Sequence, residues 1–584
     1  MMERTWDLSF LYSGFQDEKY LEDLKSLPEL AQSAAETLRQ PGDPAAVLER
    51  FLDQDAIISD KAERLALFCN LTLSVEAENA DAAAGMDKLN LCFNQLSLLR
   101  SALVRYIGAL PDLEAVIAAS PKLQEVAFAL REFRGQAAHL IPEEIEPWML
   151  KMSLSGGTAF SLLRDKLDAT HLVDYRGEQL PLSAVRGLAY DPDPQVRKDA
   201  YEAEIAAYRK IEIPMAACLN SIKQEAITRA EAQRYASVLD MTLQESRMDA
   251  RTLEAMLTAI REFLPDFRRY LRAKGALLGH PNGLPFYDLF APVGKAGKTY
   301  TVEEAHAKLL QEMGKFTPEM ASFMDKAFRE RWIDFDPRPG KTGGAFCAGC
   351  HTARRSSILT NFQGSFSDVS TLAHELGHAW HNHCMEGLPV LLTDVPMQLA
   401  ETASIFNETM LSYQALSSAG PEEQLNLLEN SLMEATQTVV DIYSRYLFET
   451  AVIETRPDHA MSVEELKEAM LQAQDASYGE GLDPDIRHPY MWACKSHYYS
   501  SGLNFYNFPY AFGLLFGKGV FARYLEKGEA FVPEYCRLLR SCGSGTIAEV
   551  AASVGIDVRS ADFWRSSLAV IRSDIDRFCS LCNA

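Results

Sequence analysis

Thr371-Leu372-Ala373-His374-Glu375-Leu376-Gly377-His378-Ala379-Trp380-His381-Asn382-His383 contains the pattern H-E-x-x-H. On a helix, His374 and His378 lie one turn apart on one face, where both imidazoles reach a single metal ion. Leu372, Leu376 and Ala379 fall on the opposite face and give the apolar side that a buried helix needs. Glu375 stands beside the first histidine, able to reach a metal-bound water without being a ligand. Zinc lowers the pKa of such a water to about 7, so a carboxylate of modest basicity completes its deprotonation. The stretch reads as the metal helix of a zinc hydrolase.

A catalytic zinc usually takes a third protein ligand. The metzincin spacing asks for a glycine where this chain has His381 and a histidine where it has Cys384, so that class is excluded. Downstream, Met397-Gln398-Leu399-Ala400-Glu401-Thr402-Ala403-Ser404-Ile405-Phe406-Asn407-Glu408-Thr409 sets Glu401 and Glu408 two turns apart on one helix face. One of them ligates, while the other accepts the outer N–H of a ligating histidine. Glu386 precedes Gly387-Leu388-Pro389 and falls at the end of the motif helix, pointing away; His381 and His383 read as helix-terminal side chains.

Upstream, residues 343–364 form a strand-like island whose segment Ser357-Ile358-Leu359-Thr360-Asn361-Phe362 alternates, giving an edge for an extended peptide. Further out, helical spacing dominates, as in Leu65, Phe68, Leu71 and Leu73, then Leu89, Phe93, Leu96 and Leu99. Pro41-Gly42-Asp43-Pro44 and the region around Pro111 punctuate these helices. Residues 170–182 predict a short hairpin around Arg176-Gly177, residues 194–278 resume as helix, residues 279–301 form a Gly- and Pro-rich connection, and helix returns from Phe366 almost to the end. The expected class is mainly α with a small β-sheet beside the H-E-x-x-H helix. The expected division is an N-terminal helical domain over 1–110 and a catalytic domain over 111–584.

The 584 residues include 57 Lys+Arg and 81 Asp+Glu, a formal charge of −24. That balance argues against nucleic acid, whose partners need a basic footprint, and against an anionic membrane surface. No apolar stretch reaches the roughly 18 residues of a membrane helix. The N-terminal Met1-Met2-Glu3-Arg4-Thr5-Trp6-Asp7 lacks a signal-peptide pattern, and eleven cysteines, an odd number in a long chain, read as reduced thiols. The expectation is a cytoplasmic protein.

Several stretches together resemble the oligoendopeptidase F and thimet-oligopeptidase-like zinc metallopeptidases. Gly340-Lys341-Thr342-Gly343-Gly344-Ala345-Phe346 is similar to that family's G-K-x-x-G-A-[FY], Thr360-Asn361-Phe362-Gln363-Gly364 to its N-[FY]-x-G, Thr371–His378 to its T-L-x-H-E-x-G-H, and Glu401-Thr402-Ala403-Ser404 to its E-x-x-S. His497-Tyr498-Tyr499, followed by Phe505-Tyr506-Asn507-Phe508-Pro509-Tyr510-Ala511-Phe512-Gly513, resembles its C-terminal loop, with Phe508 where many members carry a further tyrosine. Trp6-Asp7-Leu8 is similar to oligoendopeptidase F in particular.

The resemblance implies one Zn²⁺ held by His374, His378 and Glu401, with Glu375 as general base and Glu408 behind the ligands. It implies that His497, Tyr506 and Tyr510 donate hydrogen bonds to the substrate carbonyl or developing oxyanion, and that Gly344, Ala345, Asn361 and Tyr499 contact substrate. It also implies a large helical peptidase fold with a deep central channel, admitting short peptides for internal cleavage. Residue pattern alone leaves another reading of the 498–512 aromatics: a core helix with satisfied hydroxyls.

Three rival motifs are weaker. Cys347-Ala348-Gly349-Cys350-His351 fits the c-type haem pattern C-x-x-C-H, but such attachment occurs on translocated chains. Cys579-Ser580-Leu581-Cys582 would have to pair with it across a gap that no zinc-ribbon spacing matches. Gly513-Leu514-Leu515-Phe516-Gly517-Lys518-Gly519 lacks the order of a phosphate loop and reads as close helix packing. Sequence alone leaves the oligomeric state open.

Overall fold

Asp43 accepts a hydrogen bond from the backbone of Ala46 and Pro44 occupies the first turn, so the punctuation at Pro41–Pro44 ends one helix, Glu18–Arg39, and starts the next, Pro44–Val75. Asn79 caps a third, Ala80–Ala109, in the same way. The computed structural model describes residues 3–142, 144–294 and 298–582. It is 71% helix and 4% strand, which makes the class mainly α, as the periodicity predicts. Two compact units make up the chain, and neither is a continuous stretch of sequence. The first comprises Met1–Leu140, Lys298–Gln414 and Arg523–Gly555; the second comprises Ile141–Gly297, Ala415–Ala522 and Ile556–Ala584.

In the first unit the three N-terminal helices bury Leu65, Phe68, Leu71, Leu89 and Leu99 in one cluster. Cys350, Leu359 and Leu392 belong to the same cluster, so these helices pack on the segment preceding the H-E-x-x-H helix and on the turn after it. That segment carries a sheet of three strands, β3 (Ile333–Asp334), β4 (Phe346–Cys350) and β5 (Arg355–Leu359), numbered after the two hairpin strands β1 (Leu172–Tyr175) and β2 (Glu178–Pro181). β5 is central: β4 pairs with it antiparallel, Phe346 opposite Leu359 and Cys350 opposite Arg355, and β3 pairs with it parallel. β4 and β5 fall inside the island read from sequence; β3, only two residues long, carries no periodicity to read. Buried Lys341 locks the arrangement, its Nζ donating to Asp334 Oδ1 at 2.7 Å, Asp336 O at 2.9 Å and Thr360 O at 2.6 Å.

In the second unit the predicted hairpin forms, with Arg176 (φ 52°) and Gly177 (φ 86°) both in the left-handed region of a tight turn that matches strand twist. Long helices follow at Pro194–Ala232 and Ala250–Leu277, with Ala561–Cys582 packed along the latter. Of the Gly- and Pro-rich connection, Lys295–Gly297 lies outside the described residues; the rest includes a turn at Phe286–Asp288. Three buried ion pairs cross the interior: Arg197–Asp288 at 2.7 Å, Lys223–Glu449 at 2.6 Å and Lys274–Glu429 at 2.5 Å. Among the described residues no helix is long and apolar enough to cross a membrane.

Candidate metal centre

The motif helix, Phe366–Cys384, begins with a capping box in which Ser365 accepts from the backbone of Asp368 and the Asp368 carboxylate accepts from the backbone of Ser365. Leu372, Ala373, Leu376 and Ala379 are buried, so the helix turns His374 and His378 to its other side. Facing it, a short turn at Met397–Ala400 is followed by the helix Thr402–Ser418, with Glu401 at the junction (φ −84°, ψ 2°). Gly377 allows the two helices to meet: a Cβ there would stand 2.6 Å from both Ala403 O and Ser404 Cα. Asn407 Nδ2 donates to Ala373 O at 3.2 Å and closes the same contact.

His374 Nε2 and His378 Nε2 lie 3.2 Å apart, and Glu401 Oε2 stands 3.3 Å from the first and 3.4 Å from the second. Ligand atoms about 2.0–2.2 Å from a tetrahedral zinc are separated by about 3.3–3.5 Å. The triangle therefore fits such an ion with little adjustment, and two imidazoles with one carboxylate make a donor set zinc accepts. Among the described residues this is the one such group of three potential ligands. Ser404 Oγ donates to Glu401 Oε2 at 2.7 Å, orienting the carboxylate. On the far side of the ring, His374 Nδ1 is 3.4 Å from Glu408 Oε2, a pairing that puts the proton on Nδ1 and leaves Nε2 free to ligate.

Burial favours a neutral His374 ring, but hydrogen bonds to Glu401 and Glu408 outweigh it and push the imidazole up to about 11. Burial pulls Glu401 the other way from ionisation, yet the two histidines hold it far below the usual carboxylate range. Glu375 is 5% exposed, and its Oε2 has no hydrogen-bond partner. Burial pushes its carboxyl up, with His374 and His378 opposing.

The remaining motif residues are elsewhere. Glu386 pairs with His383 Nδ1 at 2.7 Å, and His381 is buried with Nε2 at 3.1 Å from Leu539 O. Burial drops His381 to about 4, so its ring is neutral. Gly344 (φ 80°) and Ala345 lead into β4, and Asn361 Nδ2 donates to Thr342 O at 2.9 Å and Gly344 O at 2.8 Å, so that amide braces the loop. All eleven cysteines are free thiols, and His351 Nε2 faces Leu388 O at 2.8 Å.

In the second unit, His497, Tyr506 and Tyr510 form a ring cluster with centroids 5.3 Å (His497–Tyr506), 6.1 Å (His497–Tyr510) and 5.3 Å (Tyr506–Tyr510) apart. The aromatics around them divide sharply: Tyr498, Tyr499, Phe505, Phe508 and Phe512 are buried, while Tyr506 and Tyr510 are only half-buried. Tyr499 lies under the Arg164 guanidinium, 5.3 Å from its ring centroid, away from solvent. The loop leading into Tyr506 is irregular, with Phe505 at φ 51°. Glu449 holds it, accepting from Phe505 N at 3.0 Å and Asn507 Nδ2 at 2.7 Å while paired with Lys223, whose Nζ also donates to Asn504 Oδ1 at 3.0 Å. Sequence reasoning did not find Lys223, Glu449 or Asn407; Ser404 was visible as the last residue of E-x-x-S without a role.

A mainly helical scaffold that presents two histidines and a glutamate this way belongs to the metallopeptidases. The sequence profile of peptidase family M3 matches residues 187–570, most of the chain, and that described as Oligopeptidase F matches residues 111–170. The chain belongs to peptidase family M3. It is 22% identical to oligopeptidase PepF of Bacillus subtilis over 98% of this chain and 86% of that one, and 24% identical to group B oligopeptidase PepB of Streptococcus agalactiae over 79% and 77%. Among solved structures, a peptidase from Chlamydophila abortus matches with TM-score 0.87 at 22% identity, covering 99% of this chain and 98% of the other. Oligoendopeptidase-F from Enterococcus faecium matches with TM-score 0.70 at 19% identity, covering 97% and 98%.

Proposed function

We propose that this metallo-oligopeptidase is a zinc-dependent endopeptidase that hydrolyses internal bonds of short peptides, with Glu375 as general base. The observation that carries the reading is the triangle of 3.2, 3.3 and 3.4 Å among His374, His378 and Glu401, with the free Glu375 carboxylate oxygen beside it. Zinc bound there would supply a Lewis acid and bring a bound water's pKa to about 7. Glu375 takes the proton of the attacking water and delivers it to the leaving amine, a task favoured by burial that raises its basicity. Glu408 keeps the His374 proton on Nδ1. His497, Tyr506 and Tyr510 offer hydrogen-bond donors to a substrate carbonyl or developing oxyanion; that the two tyrosines are only half-buried among otherwise buried aromatics supports that role. β4 pairs on one side only among the described residues, and its other edge suits an extended peptide backbone. Gly344, Ala345, Asn361 and Tyr499 are the proposed substrate-binding residues, Asn361 also bracing the loop before β4. The eleven free cysteines support a reducing, cytoplasmic compartment.

The test uses quenched fluorescent peptides of graded length, blocked at both ends, with chelator-treated protein and with zinc added back. Cleavage within the chain, abolished by the chelator and restored by about one zinc per chain, is the expected result. Undiminished cleavage by metal-stripped protein, or inertness of the fully loaded protein towards every peptide, overturns the proposal.

A further inference from the structure

The second unit contains a cavity of about 200 Å³ that none of the chemistry above uses. Arg186, Glu204, His488 and Lys495 build its polar wall, while Tyr190 and Phe290, with ring centroids 4.8 Å apart, form an aromatic one. Tyr190 is 56% exposed and marks the mouth.

Positive charge exceeds negative around this space. Arg197, which also borders it, is fully engaged, with Nε donating to Asp288 Oδ1 at 2.7 Å and Nη1 to Asp191 O at 2.6 Å. Glu204 is shared between Arg186 Nε at 3.1 Å and His488 Nε2 at 3.4 Å. His488 Nδ1 accepts from Tyr490 N at 3.2 Å, which puts the ring proton on Nε2, the buried nitrogen that faces Glu204. The Lys495 ammonium donates no hydrogen bond among the described residues, and its nearest carboxylate oxygen, Asp441 Oδ2 at 3.8 Å, is already bound by Arg445 at 2.5 Å. Arg186, Lys495 and Arg445 are opposed at close range by Glu204 and Asp441, with Asp168 acting on Arg186 from farther off. Burial pulls the Lys495 ammonium below the ordinary lysine range, with Asp441 only partly compensating. A cation left without a hydrogen-bonded partner at a void is an anion site by electrostatics. A second sign is the π-helical turn Gln437–Asp441, whose first residue borders the cavity; such turns concentrate at functional sites.

We infer that this cavity binds a small organic carboxylate bearing an apolar or aromatic group. The carboxylate takes the Lys495 ammonium and Arg186 Nη2, the guanidinium nitrogen not engaged with Glu204 or Cys494 O, and the apolar group lies against Tyr190 and Phe290. A bare halide would fill little of the volume and leave the aromatic wall unused. Two sources share this chemistry, a free small acid and the C-terminal residue of a peptide; neither depends on catalysis or on the metal.

The probe is N-acetylphenylalanine, titrated calorimetrically into the metal-stripped full chain, with N-acetylphenylalaninamide as its neutral twin. Saturable one-site binding is expected, with the amide at least about tenfold weaker and Lys495→Met lowering affinity by at least about tenfold. Tyr190→Ala, on the exposed rim, lowers it several-fold and serves if Lys495→Met does not fold. A short peptide ending in free phenylalanine distinguishes the sources: affinity matching the small acid assigns the site to peptide C-termini as well, and failure to bind restricts it to free acids. Absence of saturable binding, equal affinity for acid and amide, or affinity unchanged in both variants overturns the inference.

Discussion

The metal-ligand segment, residues 365–408, and the tyrosine loop, residues 496–510, are held by opposite means. The first is regular: two helices meet at Gly377, helical spacing sets His374 and His378 on one face, and the start of the second helix brings Glu401 to the same point. The second is irregular, and its backbone is anchored by a buried charge pair distant in sequence, with Lys223 281 positions from Asn504 and Glu449 56 positions from Phe505. A helix satisfies its own backbone and so can offer side chains with little help. A loop has to borrow partners, and a buried carboxylate that accepts several donors is a compact way to provide them.

The sharpest way to break the comparison is at the ligands. Replacement of partners behind a metal ligand costs about 10–100-fold in affinity, so Glu401→Ala, which removes a ligand outright, is expected to lose more than that in competition with a chromogenic chelator. The unfolding midpoint of the metal-free protein should change little. Glu449→Ala should do the reverse. It leaves Lys223 charged, buried and unpartnered, a change worth about 3–5 kcal/mol in urea unfolding, while metal affinity stays at the wild-type level. The double variant Lys223→Met, Glu449→Leu should recover much of that stability but not peptidase activity, because Phe505 N and Asn507 remain without their acceptor. Recovery of activity would mean that the loop needs packing and not hydrogen bonds.

Gly377→Ala tests the helix contact with a smaller effect. A methyl 2.6 Å from Ala403 O and Ser404 Cα forces the helices apart, for a loss of about 1–3 kcal/mol accompanied by weaker metal binding. Proton release is the mildest probe. In the metal-free centre His374 is pushed up to about 11, so at pH 7.5 it carries a proton that the ion has to displace. Metal affinity should therefore rise with pH through the neutral range, and calorimetry in buffers of different ionisation enthalpy should show at least one proton released per ion. A buffer-independent heat would mean that the ring is already neutral.

Much of this was legible in the sequence because it follows from helical periodicity. The four-residue spacing of His374 and His378 and the pairing of Glu401 with Glu408 were readable as faces of helices, and Arg176-Gly177 as a tight turn. Contacts between distant segments were not. Nothing in the motif says that Gly377 is there for its missing side chain, that Asn407 ties the two helices together or that β3 adds a strand from two residues. The aromatic stretch shows the same limit: sequence sees seven rings between Tyr498 and Phe512, and only the fold separates the buried core from the half-buried Tyr506 and Tyr510. Nor does the sequence show that Asn361 braces the loop before β4 or that Tyr499 packs beneath Arg164.

The most direct test is the turnover of a blocked, quenched peptide by Glu375→Gln carrying its full equivalent of zinc. Glutamine keeps the shape and cannot accept the proton, so kcat should fall by about 10²–10⁴-fold with metal content and unfolding midpoint preserved. Turnover within a few-fold of wild type, at the same metal content, would contradict the assignment of Glu375 as the base.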